Sequence, residues 1–222
     1  MKLDFSSVWQ YWPFLYHGAL TTLKITAITA VFGFLLGVLL SLIKISKCRP
    51  LVWFGNFYTS IFRGTPLLVQ LCIVHFGLPQ LTGMTLTTMQ SGVLTFSLNS
   101  AAYISEIFRG GINAIDRGQY EAAMSLGVGY RDMMKDIILP QAVKHILPSL
   151  VNEAISLLKE SSILSYIGAV ELLRAADQIT VLTFRFFEPY LVIAVIYYVL
   201  VMLLSMVASR IERWVNRSDR VL

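Results

Sequence analysis

The sequence predicts an all-α membrane protein, and three observations carry that fold class. Of the 222 residues 56% are hydrophobic, and the mean hydropathy of +0.67 exceeds what a soluble core of this size hides. Uncharged runs occupy residues 25–43, 85–105 and 189–209, each close to the roughly 20 apolar residues that a lipid-spanning helix needs. Finally, the basic residues gather in alternate links. Lys44, Lys47 and Arg49 follow the first run; Arg109, Arg117, Arg131, Lys135 and Lys144 follow the middle one; Arg210, Arg213, Arg217 and Arg220 follow the last. Lysine and arginine hold loops in the cytoplasm.

Taken in order, residues 1–17 lack a continuous apolar stretch and a small-residue cleavage site, so they do not read as a removable signal peptide. Trp9, Tyr11, Trp12, Phe14 and Tyr16 are amphipathic rings suited to the headgroup layer, which predicts an N-terminal interfacial helix leading into span one. Gly33 and Gly37 within that span suit close helix packing. Residues 51–78 are long enough for a second span, but Arg63, Gly64, Thr65 and Pro66 stand in a row inside it. Proline removes a backbone hydrogen bond and glycine adds freedom, so the helix is expected to break there, with 53–62 along the interface and 66–78 crossing. Residues 85–105 form span three. Residues 109–147 form one long polar, cytoplasmic module, read as a helix over 119–126 closed by Gly127 and Gly129 and a second over 130–139 ended by Pro140. Span four is expected over 148–170, with Pro148 at its start, and span five over 189–209. The count is five spans, with the N-terminus outside and the C-terminus in the cytoplasm. The link 77–86 has no charge, and the link 171–188 has only Arg174 and Arg185 among the basic residues.

The net charge of +5 follows from those loops and does not call for a nucleic acid. No phosphate-cradling GxxxxGK[ST], HExxH, GxSxG or CxxC pattern occurs, and His17, His75 and His145 are scattered, so no catalytic or metal site is expected. Cys48 and Cys72 fall at different depths, which argues against a structural disulfide. No internal repeat supports the inverted halves of many secondary transporters.

The segment EAAMSLGVGYRDMMKDIILP, residues 121–140, carries Glu121, Ala122 and Ala123, then Gly127, then Ile137 and Leu139-Pro140. That spacing resembles, without a departure, the cytoplasmic EAA loop of ABC importer permeases. GALTTLKITAITAVFGFLLGVLLSL, YTSIFRGTPLLVQL, SAAYISEIFRGGINAIDRGQYEAAMSLG and SLLKESSILSYIGAVELLR are similar to the polar amino acid branch of that family, which takes up histidine, arginine and glutamine. The resemblance implies a permease that is not itself an enzyme. It further implies a second permease subunit, identical or related, two cytoplasmic ATPase subunits that bind the ATP, and an extracytoplasmic solute-binding protein. Glu121, Ala122, Ala123 and Gly127 would then couple the chain to the ATPase. A short helix with small residues on one side fits a partner's groove, and Glu121 offers a charge at its start. A gradient-driven transporter or a channel would leave this loop without a purpose, and a membrane-bound enzyme is disfavoured by the absent catalytic motifs.

On a helical span four, Ser149, Glu153, Ser156 and Glu160 follow one another at i, i+4, i+7 and i+11, forming a single polar stripe. An acidic group at the centre of a span costs about 2.5–3.5 kcal/mol, so Glu153 needs a protein partner, a watery cavity or a cationic ligand. The readings are a substrate-facing carboxylate or a structural pair with Arg63 or Lys159. Asn152-Glu153 resembles the pair found in permeases for basic amino acids, whereas glutamine permeases carry a neutral residue at the Glu153 position. The expected cargo is arginine, lysine or histidine, held by Glu153, Asn152, Ser156, Ser149 and Glu160, with glutamine or another polar amino acid as the alternative.

Overall fold

The computed structural model describes residues 3–215, among which all regular structure is helical. Arg217 and Arg220, which entered the charge reading, lie outside the described residues. A short helix α1 (Ser6–Gln10) turns at Tyr11 into α2 (Trp12–Ile45). The expected interfacial segment therefore stops sooner than residue 17. Pro13 lies in the first turn of α2, where its fixed φ and missing N–H suit the helix start, and the aromatic residues after it join the long helix.

The expected break in residues 51–78 is present. Helix α3 (Arg49–Gly64) and the run Leu67–Thr82 meet at 104°. That run consists of α4 (Leu67–Cys72), a π turn over Ile73–Gly77, and α5 (Leu78–Thr82). A broken helix exposes its last carbonyls, and two amides meet them here. Gln70 Nε2 donates to Phe62 O at 2.8 Å and to Thr65 O at 3.1 Å. Asn99 Nδ2 donates to Phe62 O at 3.0 Å and to Gln70 Oε1 at 2.9 Å. Both amides are buried. The Arg-Gly-Thr-Pro break is thus a satisfied corner that a third helix locks in place.

That third helix is α6 (Thr88–Asn113), started by a capping box between Thr87 and Gln90. It packs directly on α2. A Cβ added to Gly33 would stand 2.9 Å from the Ser100 Cβ, and one added to Gly37 would stand 2.6 Å from Ile104 Cβ, so only glycine permits this approach. The polar module over 109–147 is less separate than expected, because α6 runs on to Asn113. After α7 (Arg117–Ser125), a turn of helix α8 (Tyr130–Asp132), a π segment over Met133–Ile138 and α9 (Leu139–Glu160) follow without a gap.

Two proline expectations are corrected by this run. Pro140 does not end a helix, and Pro148 lies inside α9 rather than at its start. Pro140 follows a π segment that has already loosened the hydrogen-bond ladder, which relieves the usual clash with the preceding turn. Helix α9 passes at Ser161 into a 3₁₀ turn over Ser161–Ile167. Helix α10 (Leu172–Thr183) then occupies the link between the fourth and fifth expected spans, and α11 (Phe187–Val215) follows. Glu171, fully buried, caps α10 by accepting from the Leu173 and Arg174 amides and from Tyr197 Oη.

Among the described residues two helices, Trp12–Ile45 and Phe187–Arg213, are long and apolar enough to cross a membrane, and the bent pair Arg49–Gly64 with Leu67–Thr82 adds a third where it counts as one span. Helix α6 carries the polar residues Ser91, Thr95, Ser97, Asn99, Ser100 and Ser105, all buried against its neighbours, and this composition keeps its hydropathy below that of a plain anchor.

Candidate functional site

The polar stripe of α9 faces the bundle. Ser149, Glu153, Ser156 and Glu160 are all half-buried, whereas Asn152, one position round the helix, is exposed. Ser100 Oγ donates to Glu153 Oε1 at 2.7 Å, and Ser100 is itself fully buried where α6 meets Gly33 of α2. Around the carboxylate lies a groove of about 350 Å³, walled by Ala30, Val31 and Phe34 of α2, Ile104 of α6, and Leu150 and Ala154 of α9. Glu153 is the one charged residue lining it.

Neither structural pairing weighed for Glu153 occurs, and among the described residues Glu153 joins no ion pair. Lys159 is exposed on another face. Arg63 is engaged with Glu106, 3.5 Å from its Oε2, and lies 5.4 Å over the Tyr103 ring.

Glu106 is a residue that the sequence reading missed. Its carboxylate pairs with Lys44 at the end of α2, with Arg63 at the end of α3, and with Arg109 NH2 at 2.6 Å one turn further along α6. The Lys44 side chain is 5% exposed and also donates to Thr59 Oγ1 at 3.3 Å. One carboxylate thereby ties three segments at the level where the elbow turns. The i,i+3 spacing of Glu106 and Arg109 was a local signal for one of these pairs; the other two cross between helices.

The EAA segment forms a second candidate surface. Asp116 caps α7 through the Gly118 amide at 2.6 Å. The helix closes at Gly127, whose φ of +73° is left-handed, and Val128 N returns to Ala123 O at 3.0 Å, a glycine C-cap. Glu121, Ala122 and Gly127 are exposed. Ala123 is 2% exposed and packs with Met133, Ile138, Ala142 and Ile146 of its own chain. The two alanines therefore do not share a docking face. Ala123 holds α7 against the α8–α9 run, and the apolar surface left open is Met124, Leu126 and Tyr130. A concavity of about 620 Å³ beside them is lined by Ile112, Ile115, Arg117, Tyr120 and Glu121.

The described residues form a bent helical bundle with a short, exposed helix α7 and a carboxylate in an apolar groove. Residues 30–218 match the binding-protein-dependent transport system inner membrane component family, and the chain belongs to it. The chain is 51% identical to the arginine transport system permease protein ArtQ of Bacillus subtilis, over 99% of this chain and 100% of that protein. It is 50% identical to the putative glutamine transport system permease protein GlnP of Rickettsia felis, over 90% and 92% of the two chains. The L-cystine transport system permease protein TcyB of Bacillus subtilis is 39% identical over 93% of this chain and 88% of its own length. Among solved structures, an amino acid ABC transporter with histidines superposes with a TM-score of 0.91 at 45% identity, covering 96% of this chain and 99% of that one. The inward-facing MetNI methionine ABC transporter, at 22% identity and a TM-score of 0.74, shares the fold.

Proposed function

We propose that this chain is the permease subunit of an ATP-driven importer of basic amino acids. The observation that carries the cargo assignment is Glu153, a carboxylate with one serine donor and no cation, standing alone in an apolar groove. A cationic side chain entering such a groove recovers its desolvation cost through the carboxylate, whereas an anionic solute is repelled. The arginine name of the B. subtilis relative and the histidines of the solved neighbour support this reading. The glutamine and cystine names of other relatives keep the neutral amino acids as competitors in any assay. Ser149, Ser156 and Glu160 extend the polar track, and exposed Asn152 serves at its edge.

In this reading the chain spans the membrane five times, with the N-terminus outside and the C-terminus in the cytoplasm. It pairs with a second permease subunit, a copy or a related chain, and receives its solute from an extracytoplasmic binding protein. Two ATPase subunits hold the ATP, and the chain carries no cofactor of its own. Exposed Glu121, Met124, Leu126 and Tyr130 form the surface on which an ATPase groove closes, with Gly127 setting the angle and Ala123 fixing the helix from behind. Reconstitution with the ATPase and binding protein in liposomes tests this. ATP-dependent accumulation of radiolabelled arginine is expected; accumulation without ATP would make the chain a gradient-driven transporter.

A further inference from the structure

Helix α3 presents three different faces. Buried Gly55 and Thr59 face the bundle. Trp53, Phe54, Phe57 and Ile61 are exposed at 67%, 51%, 51% and 43%, and their helical positions put them on the side away from Gly55 and Thr59. Asn56, Ser60 and Arg63 follow at i, i+4 and i+7 on a flank between the two. An amphipathic helix turned 104° from its successor, with aromatic residues outward and basic residues at both ends, has the form of an element lying in a membrane interface. Exposed Lys47 and Arg49 stand at its start and Arg63 at its end.

The polar flank opens into a cavity of about 610 Å³ lined by Asn56, Ser60, Arg63, Glu106 and Arg109. Lys44, Arg63 and Arg109 all pair with the single carboxylate of Glu106, which leaves the cluster with an excess of positive charge. The side chains of Arg63 and Arg109 remain 44% and 54% exposed, with donors unused by that carboxylate.

We infer that this cavity holds the phosphodiester headgroup of an anionic phospholipid. Arg63 and Arg109 receive the phosphate, Asn56 and Ser60 contact the glycerol side, and the acyl chains lie along Trp53, Phe57 and Ile61. Basic pockets between helices at a membrane surface bind anionic headgroups in this manner, and guanidinium groups match phosphate oxygens through paired donors. A free phosphate would use the same cations but not the aromatic stripe, so the lipid is the source to which the geometry commits. Assignment to the cytoplasmic leaflet rests on the proposed topology; the binding itself does not depend on transport.

Native mass spectrometry of the full chain, released from nanodiscs of equal phosphatidylglycerol and phosphatidylcholine, tests the site. Retention of phosphatidylglycerol over phosphatidylcholine is expected, undisturbed by inorganic phosphate. Asn56 lies on the surface and outside the ion pairs, so its variants leave the Glu106 cluster intact. Asn56→Asp should lower phosphatidylglycerol retention about fivefold and Asn56→Lys should raise it by a similar factor, the change expected for one charge near the headgroup. Equal retention of both lipids, release of the lipid by phosphate, or no response to either variant would overturn the assignment. So would a dimer that carries no lipid and dissociates with Asn56→Asp, since a second copy would then occupy this face.

Discussion

Two carboxylates on neighbouring helices, Glu106 on α6 and Glu153 on α9, are treated in opposite ways by the fold. Glu106 accepts from Lys44 and Arg109 and pairs with Arg63, so its charge is more than balanced. Glu153 accepts one hydrogen bond, from Ser100, and faces a groove of alkyl and aromatic side chains. A carboxylate surrounded by cations is a tie between segments, and its removal strands the positive charges that it held. A carboxylate with spare acceptor positions beside open volume is available to a cationic visitor. The difference separates the residue that keeps α2, α3 and α6 together from the residue proposed to select the solute.

The largest effect should come from breaking the tie. Glu106→Gln leaves Lys44, 5% exposed, without its counter-charge, and loss of one partner from a buried pair costs about 3–5 kcal/mol. The variant should unfold at lower temperature in detergent and accumulate less in membranes, which thermal melting and quantitative blotting measure. A stability equal to the parent would show that the ion pairs are surface ornament and would dissolve the contrast.

A middling effect is expected at α7, the helix proposed to meet the ATPase. Nothing lies within 4 Å of a Cβ added at Gly127, but its φ of +73° lies in the left-handed region, which costs a branched residue on the order of 1–2 kcal/mol. Gly127→Val should therefore tilt the α7 exit and uncouple ATP hydrolysis from uptake, with the chain still in the membrane. Gly127→Asn, which tolerates that backbone better, should retain most coupling. Hydrolysis and uptake measured together on both variants sharpen the assignment, and full coupling in the valine variant would count against it.

The smallest effect belongs to Ser100. Its hydroxyl fixes one oxygen of Glu153, so Ser100→Ala should raise KM for a cationic amino acid by several-fold, in keeping with the contribution of about 0.5–1.5 kcal/mol that one hydrogen bond typically makes. Uptake at saturating solute should stay near the parent value. A fall in maximal uptake with KM unchanged would place Ser100 in the packing against Gly33 rather than in orientation of the carboxylate.

Much of this architecture was legible because local chemistry dictates it. The Arg-Gly-Thr-Pro sequence disfavours a continuous helix through its proline, and Gly127 suits a left-handed turn. Helical periodicity alone put Ser149, Glu153, Ser156 and Glu160 on one face. The prolines misled for the same local reason. Pro140 and Pro148 read as helix boundaries, but the π segment before Pro140 and the packing of α9 on α6 carry the helix through both. The inward turn of Ala123, the Gln70–Asn99 seal of the corner and the triple pairing of Glu106 depend on which helices become neighbours. Periodicity within one segment does not contain that information.

The assignment of Glu153 as the selecting carboxylate is tested most directly by uptake competition in liposomes that hold the permease with its ATPase and binding protein. Arginine and glutamine would be offered together to the parent and to Glu153→Gln. The parent should prefer arginine. The variant should lose arginine uptake by on the order of 100-fold, the scale set by removing one partner of a desolvated charge pair, while its abundance and ATPase assembly stay close to the parent. Arginine transport by Glu153→Gln at the parent rate, or a parent that prefers glutamine, would contradict the account.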